Sequence, residues 1–142
     1  MTENEKVLTQ INKITQMGQV GINCVMPKAT KPALRQALNV QRQEYQSIGT
    51  RAKNLAKAKG LSIQDGSKFV HRMSSMAAKS RLGGGNADSK IAGMMIQGNT
   101  RGMITGLKNI HQFNGQDGQV STLSQKLLDC ETANIRQMQS FL

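Results

Sequence analysis

Aromatic side chains are almost missing from this 142-residue chain, which has no tryptophan, one tyrosine and three phenylalanines. Sheet cores usually depend on aromatic and β-branched residues, so their scarcity argues against a β-rich fold. Proline is nearly as rare, with only Pro27 and Pro32, so long helices can run without interruption. Nine methionines and many alanines take their place, and these residues suit packing between helices. The composition predicts one all-α domain spanning residues 1–142.

Cysteines and long apolar runs are equally scarce. Cys24 and Cys130 are too few for a disulfide scaffold, and we expect both to be packed free thiols. No hydrophobic stretch follows the polar start of the chain, and no apolar run reaches the roughly 18 residues of a membrane-spanning helix. We therefore expect a cytoplasmic protein without a membrane span.

Acidic residues are outnumbered, since eight Asp and Glu oppose 19 Lys and Arg and leave a net charge of +11. Most of the excess lies within residues 28–81, where Glu44 and Asp65 are the only acids. Five basic residues of the second predicted helix share a sector of about 80° beside its apolar seam. This basic row consists of Lys31, Arg35, Arg42, Lys53 and Lys57.

Such a row can follow the phosphates of a nucleic acid or the charges of another polyanion. Binding would not be sequence-specific, because aromatic residues for base stacking are lacking. The alternative interpretation is a solvated helix face with no partner.

Apolar residues recur at helical spacing in four segments. These cover approximately residues 4–25, 31–60, 67–113 and 121–142. The third segment is interrupted at Gly83–Gly85. Four amphipathic helices with short connections predict an up-down-up-down four-helix bundle.

Glycines are concentrated in the later part of the third segment. Gly98, Gly102 and Gly106 recur every four residues, and each costs about 1 kcal/mol relative to alanine inside a helix. We expect this stripe to let another helix approach closely, and we expect the apolar and glycine-lined faces to form a homo-oligomer. Local fraying of the helix is the alternative.

Two long stretches resemble a known family: SKIAGMMIQGNTRGMITGLKNIHQF and KLLDCETANIRQMQSFL. They are similar to small helical bacterial proteins of a Firmicutes type, whose corresponding helix reads along the lines of S-H-I-A-E-M-M-I-E-G-S-T-M-G. The pair Glu44–Tyr45, the sequence RAKNL and the ANI of the last helix fit as well, so the resemblance spans nearly the whole chain. It implies a ferritin-like four-helix bundle and no established activity.

One acidic residue lies among the apolar residues of the last segment. Glu131 and Asn134 share a helical face with several large apolar side chains. A buried carboxylate is costly unless it is paired, protonated or bound to a cation. Glu131 is therefore a candidate for a site or for a structural hydrogen bond.

Ferritin-like di-iron sites need a Glu from two helices and a Glu-x-x-His from the other two. Glu44 and Glu131 are the weak candidates for metal ligands, but Ser47 and Asn134 stand where the histidines would be. In the third segment, the positions at which the resembling family has Glu are occupied by neutral residues, Gly93 and Gln97. We expect a buried Glu131 that is hydrogen-bonded to Tyr45, Gln41 or a backbone group, and a looser metal site is the alternative.

Other signatures of chemistry are weak. His71 and His111 are isolated, so a zinc site is not expected. The sequence GGGNADSK lacks the order of a phosphate-binding loop, and no spacing indicates a catalytic triad. The sequence predicts a non-enzymatic structural or interaction protein without a cofactor; the alternatives are a polyanion binder and an atypical metal-binding ferritin-like oxidoreductase.

Overall fold

The computed structural model describes residues 1–64, 85–113 and 117–142. Within these ranges the chain is all-helical, with four α-helices and no strand, which confirms the predicted all-α class. The elements are α1 (Glu3–Val25), a 3-10 turn (Met26–Lys28), α2 (Pro32–Ala58), α3 (Ala87–Gln112) and α4 (Gly118–Gln139). The predicted start of the third segment, its interruption at Gly83 and Gly84, and His71 lie outside the described residues.

Local sequence explains where α1 begins and where α2 begins and ends. Thr2 and Glu5 form a capping box, in which each side chain accepts a hydrogen bond from the other residue's backbone N–H, at 3.1 and 3.3 Å. Pro32 occupies the first position of α2, where its missing N–H costs nothing. Gly60 follows α2 with a φ of +65°, the left-handed conformation that ends helices.

Hydrogen bonds at the helix ends show that α2 and α3 run in the same direction. The backbone N–H groups of Thr30 and Lys31, just before α2, donate to the carboxylate of Asp88 at 2.8 and 3.0 Å. Asp88 lies in the first turn of α3, so both helices begin at the same end of the molecule. The alternating direction expected for these two helices is therefore not confirmed, and residues 59–86 separate them in the sequence.

The first and last helices begin together at the opposite end. The Lys59 ammonium, beside the end of α2, pairs with Asp117 at 2.7 Å, immediately before α4. The backbone N–H of Asp117 also donates to Asn4 Oδ1 at 3.1 Å, in the first turn of α1. Helices α1 and α4 are therefore both antiparallel to α2.

The apolar core receives side chains from all four helices. Its fully buried members include Leu8 and Ile11 of α1, Leu34, Leu38 and Ile48 of α2, Ile91 of α3, and Val120 and Met138 of α4. In the described part of the chain, no helix combines the length and apolar character needed to cross a membrane.

Candidate functional site

Three polar side chains meet in the middle of the bundle. Tyr45 of α2, Asn99 of α3 and Glu131 of α4, here called the central cluster, are at most 2% exposed. The Tyr45 hydroxyl lies 2.7 Å from Asn99 Oδ1 and 2.9 and 3.0 Å from the two carboxyl oxygens of Glu131. Of the three partners expected for Glu131, the structure therefore shows Tyr45.

Two glycines make room for this cluster. A Cβ at Gly18 of α1 would lie 2.5–2.8 Å from atoms of the Tyr45 ring, and one at Gly102 of α3 would lie 2.9–3.4 Å from the Glu131 carboxyl group. At each glycine the shortest of these distances is below an ordinary van der Waals contact, so a side chain at either position would require its neighbour to move. All four helices thus contribute to the site. Helix α2 carries Tyr45, α3 and α4 carry the two polar side chains that contact it, and Gly18 of α1 leaves the space that its ring fills.

The three glycines of the predicted stripe have different surroundings. Gly102 is buried, and the atoms nearest to its Cβ position belong to the Glu131 carboxyl group. Gly98 is exposed with nothing within 4 Å of its Cβ position, so it is not a packing residue within the chain. Gly106 would have ordinary contacts of 3.9–4.0 Å with Leu128. The reason is rotational, because each four-residue step turns the helix face by about 40°.

Burial determines the protonation state of the cluster. Desolvation raises the pKa of Glu131 to about 8, and the hydrogen bond from Tyr45 opposes this rise only in part. Desolvation, followed by the nearby carboxyl group, also raises the pKa of Tyr45 well above its usual value. At neutral pH both groups are therefore uncharged.

The three contacts fit a neutral chain of hydrogen bonds. Tyr45 has one hydroxyl proton, and this proton can satisfy only one of its neighbouring oxygens. If one oxygen of protonated Glu131 donates to the Tyr45 oxygen, Tyr45 can donate to Asn99 Oδ1, and Tyr45 then has one hydrogen bond to each neighbouring residue. An ionised Glu131 would need the Tyr45 proton itself, and Asn99 would then have to turn its amide so that its Nδ2 faces Tyr45.

Glu44 belongs to a different environment. Its side chain is exposed, and its Oε2 accepts a hydrogen bond from the Cys130 thiol at 2.8 Å. Burial, and then the adjacent Glu44, raise the pKa of Cys130, so the thiol stays protonated. Asn134 donates to the same sulfur at 3.5 Å.

The two acids proposed as metal ligands are therefore engaged separately. Glu131 is bonded to Tyr45, and Glu44 is bonded to Cys130. Among residues 1–64, 85–113 and 117–142, no group of three or more His, Cys, Asp or Glu is placed to hold a metal ion. Ser47 and Gln97 are exposed, and His111 is exposed at the end of α3.

The arginines of the basic row are used within the chain. Arg35 Nη1 donates to the carbonyl groups of Met26 and Ala29 at 3.0 and 3.2 Å, which fixes the turn before α2. Arg42 donates to the side-chain oxygens of Asn23 and Asn39 at 2.8 and 2.7 Å. Both guanidinium groups therefore support the α1–α2 pair.

The lysines of the row are placed differently. Lys31, Lys53 and Lys57 have exposed side chains. None of the three ammonium groups has a hydrogen bond or ion pair to another residue in the described ranges. Lys53 and Lys57 are therefore the members of the row available to a partner without breaking contacts of the fold, because Lys31 interacts electrostatically with Asp88.

Sequence reasoning identified Glu131 and Tyr45 but missed Asn99 and Gly18. Asn99 lies one turn before Gly102, so a polar residue near a glycine on the inward face was the signal that could have found it. The two cysteines are free and half-buried, as expected. No family model, curated protein or solved structure matches the chain, so no residue role can be carried over from a relative.

Proposed function

We propose that this protein is a non-enzymatic structural or interaction protein in which the central cluster occupies the place of a ferritin-like di-metal centre. The observation that carries this proposal is the burial of Glu131, which is 1% exposed and hydrogen-bonded to Tyr45. A divalent cation needs deprotonated ligands, so it would have to displace a proton from a carboxyl group whose pKa is about 8. Tyr45 and Gly102 instead suit an uncharged side chain that fixes the positions of α2, α3 and α4.

A ferritin-like arrangement is supported by the direction of the helices. Bundles of that class have one long crossover connection between their second and third helices, which then run parallel. Here α2 and α3 begin at the same end, and residues 59–86 separate them. Membership of the Firmicutes-type family remains part of the same proposal.

Elemental analysis tests the central claim. Protein purified without chelator should contain iron and manganese far below one equivalent, and neither metal should load on reconstitution. Stoichiometric metal that disappears in Glu131→Gln but persists in Glu44→Gln would instead favour the atypical oxidoreductase.

Self-association is supported by the outer surface of α3. Ile104 and Leu107, three residues apart on the same side of this helix, are 46% and 39% exposed. Burying such side chains against a second copy removes apolar surface from water. We therefore assign the homo-oligomer contact to α3.

Light scattering over a range of concentrations tests this contact. The unmodified protein should form a defined oligomer, and Ile104→Gln combined with Leu107→Gln should dissociate it. Val40→Gln is the matched control, since Val40 is 37% exposed on α2. A monomer at every concentration would contradict self-association.

Polyanion binding is the second candidate function, favoured by the exposed Lys53 and Lys57 of the basic row. Retention on heparin should fall steeply with salt, because each neutralised phosphate releases counterions. Lys53→Gln with Lys57→Gln should reduce the salt slope by about two units, following roughly 0.9 per contact. Arg101→Gln with Lys108→Gln removes the same charge from α3. An equal effect of both pairs would mean that the binding depends on net charge alone.

A further inference from the structure

A groove runs between the second half of α2 and the first half of α4. Its volume is about 750 Å³, and its apolar lining comes from Leu55, Ala58 and Leu123. Leu123 is 5% exposed, so the floor of the groove is continuous with the core. The ion pair between Lys59 and Asp117 closes one end.

Two cations lie at the same level on opposite walls of this groove. The helices are antiparallel, with Tyr45 beside Glu131 and Lys59 beside Asp117. Between those two contacts, each helix contributes one basic side chain to the groove, Arg51 from α2 and Lys126 from α4. Like charges that line one groove repel, and an anion bound between them would reduce that repulsion.

Neither of the two acids near these cations forms an ion pair with them. Asp117 lines the groove but pairs with Lys59. Asp129, three residues after Lys126, accepts a hydrogen bond from Gln125 at 2.9 Å. Neither Arg51 nor Lys126 has a hydrogen bond or ion pair to another residue of the described chain.

We propose that the α2–α4 groove binds an amphipathic carboxylate, a small molecule with an anionic head and an alkyl tail. The carboxylate would lie between Arg51 and Lys126, since a guanidinium matches a carboxylate in two parallel hydrogen bonds. The tail would cover Leu55 and Leu123, a contact that a free mineral anion cannot make. The groove has the volume of small-molecule sites in general. This site is separate from the central cluster and from the α3 contact, so it does not depend on the proposed function.

Isothermal titration calorimetry with decanoate, below its micellar range, tests the proposal. Decanol and acetate are the two controls, because one keeps only the tail and the other only the charge. We expect decanoate to bind one site per chain and each control to bind at least about tenfold more weakly. Decanol loses the charge-assisted contact, and acetate loses the apolar contact.

Matched variants locate the site. Arg51→Gln combined with Lys126→Gln should weaken decanoate binding by about tenfold or more. Arg101→Gln combined with Lys108→Gln removes the same charge from exposed positions of α3 and should leave the affinity unchanged. Circular dichroism melting verifies that both pairs fold, and Leu55→Gln gives a second variant that removes apolar lining without changing charge.

Three results would overturn the proposal. Decanoate that does not bind at millimolar concentration excludes the site. If the two double variants weaken decanoate binding equally, the binding depends on net charge alone. Equal binding of decanoate and acetate removes the role of the apolar floor.

Discussion

The carboxyl group in the centre of the bundle and those at its ends have opposite surroundings. Glu131 is removed from water, and its pKa is raised to about 8 by desolvation. Asp88 accepts hydrogen bonds from the Thr30 and Lys31 backbones, first among them that of Thr30, and these hold its pKa below the usual value. Asp117 is held below its usual pKa by the hydrogen bond from Lys59.

A carboxyl group stabilises the fold in its charged form at the helix ends and in its neutral form in the centre. At the helix ends, charge is useful because backbone N–H groups and a lysine lack other partners. In the centre, charge is a cost, and the acid is kept as a neutral hydrogen-bond donor. The same side-chain chemistry thus joins helices in two ways, and pH should separate them.

The largest expected effect is the loss of stability as the pH rises from about 4.5 to about 8. Because the folded pKa of Glu131 is raised, the folded state holds one more proton than the unfolded state between about pH 4.5 and 8. The contribution is fully present below the unfolded pKa and falls by about 1.4 kcal/mol per pH unit through this window. Urea unfolding at a series of pH values measures it.

The control for that prediction is a second neutralised glutamate. Glu131→Gln should flatten the pH dependence of the free energy of unfolding within the window, whereas Glu44→Gln, at an exposed position, should not. A wild-type stability that is constant from pH 5 to 8 would contradict a protonated Glu131.

The next effect in size comes from filling the space around the cluster. Gly18→Ala and Gly102→Ala should each destabilise the protein by about 1–3 kcal/mol, because a methyl group would overlap Tyr45 or Glu131. The matched controls are Gly21→Ala on α1 and Gly98→Ala on α3, where a Cβ meets nothing within 4 Å. Those should be neutral or stabilising by up to about 1 kcal/mol, as expected for alanine in a helix. Equal effects in both sets would mean that the cluster has room to spare.

How much of this could be predicted from the sequence depends on the distance between the residues involved. The helical period placed Glu131 on an inward face and gave the four helical segments, because both follow from residues a few positions apart. The direction of α3 could not be predicted in this way, since it depends on Asp88 meeting Thr30 and Lys31 across the bundle. The space at Gly18 depends in the same way on Tyr45, which belongs to another helix.

A smaller effect belongs to the acids at the helix ends. A group with a depressed folded pKa stabilises the protein above its unfolded pKa, and this contribution is lost as pH falls through the folded pKa. Asp88→Asn should therefore reduce the thermal midpoint at pH 7 and flatten its decline below about pH 4, the ordinary aspartate range. Melting curves by circular dichroism test this, with Asp129→Asn as the control at an exposed position. A variant that keeps the full acid-induced decline would assign it to other acids.

The smallest effect concerns a thiol that lies between the two environments. Cys130 is half-buried, and its sulfur touches the exposed Glu44, so both desolvation and a negative charge oppose the thiolate. Since the thiolate is the reactive form, alkylation of Cys130 by iodoacetamide at pH 8 should be at least about tenfold slower than that of a free thiol peptide. In a Cys24→Ser background, Glu44→Gln should raise that rate by removing the charge while leaving the burial, and Glu131→Gln should raise it less. If Glu44→Gln leaves the rate unchanged, burial alone protects the Cys130 thiol, and the charge of Glu44 does not affect its reactivity.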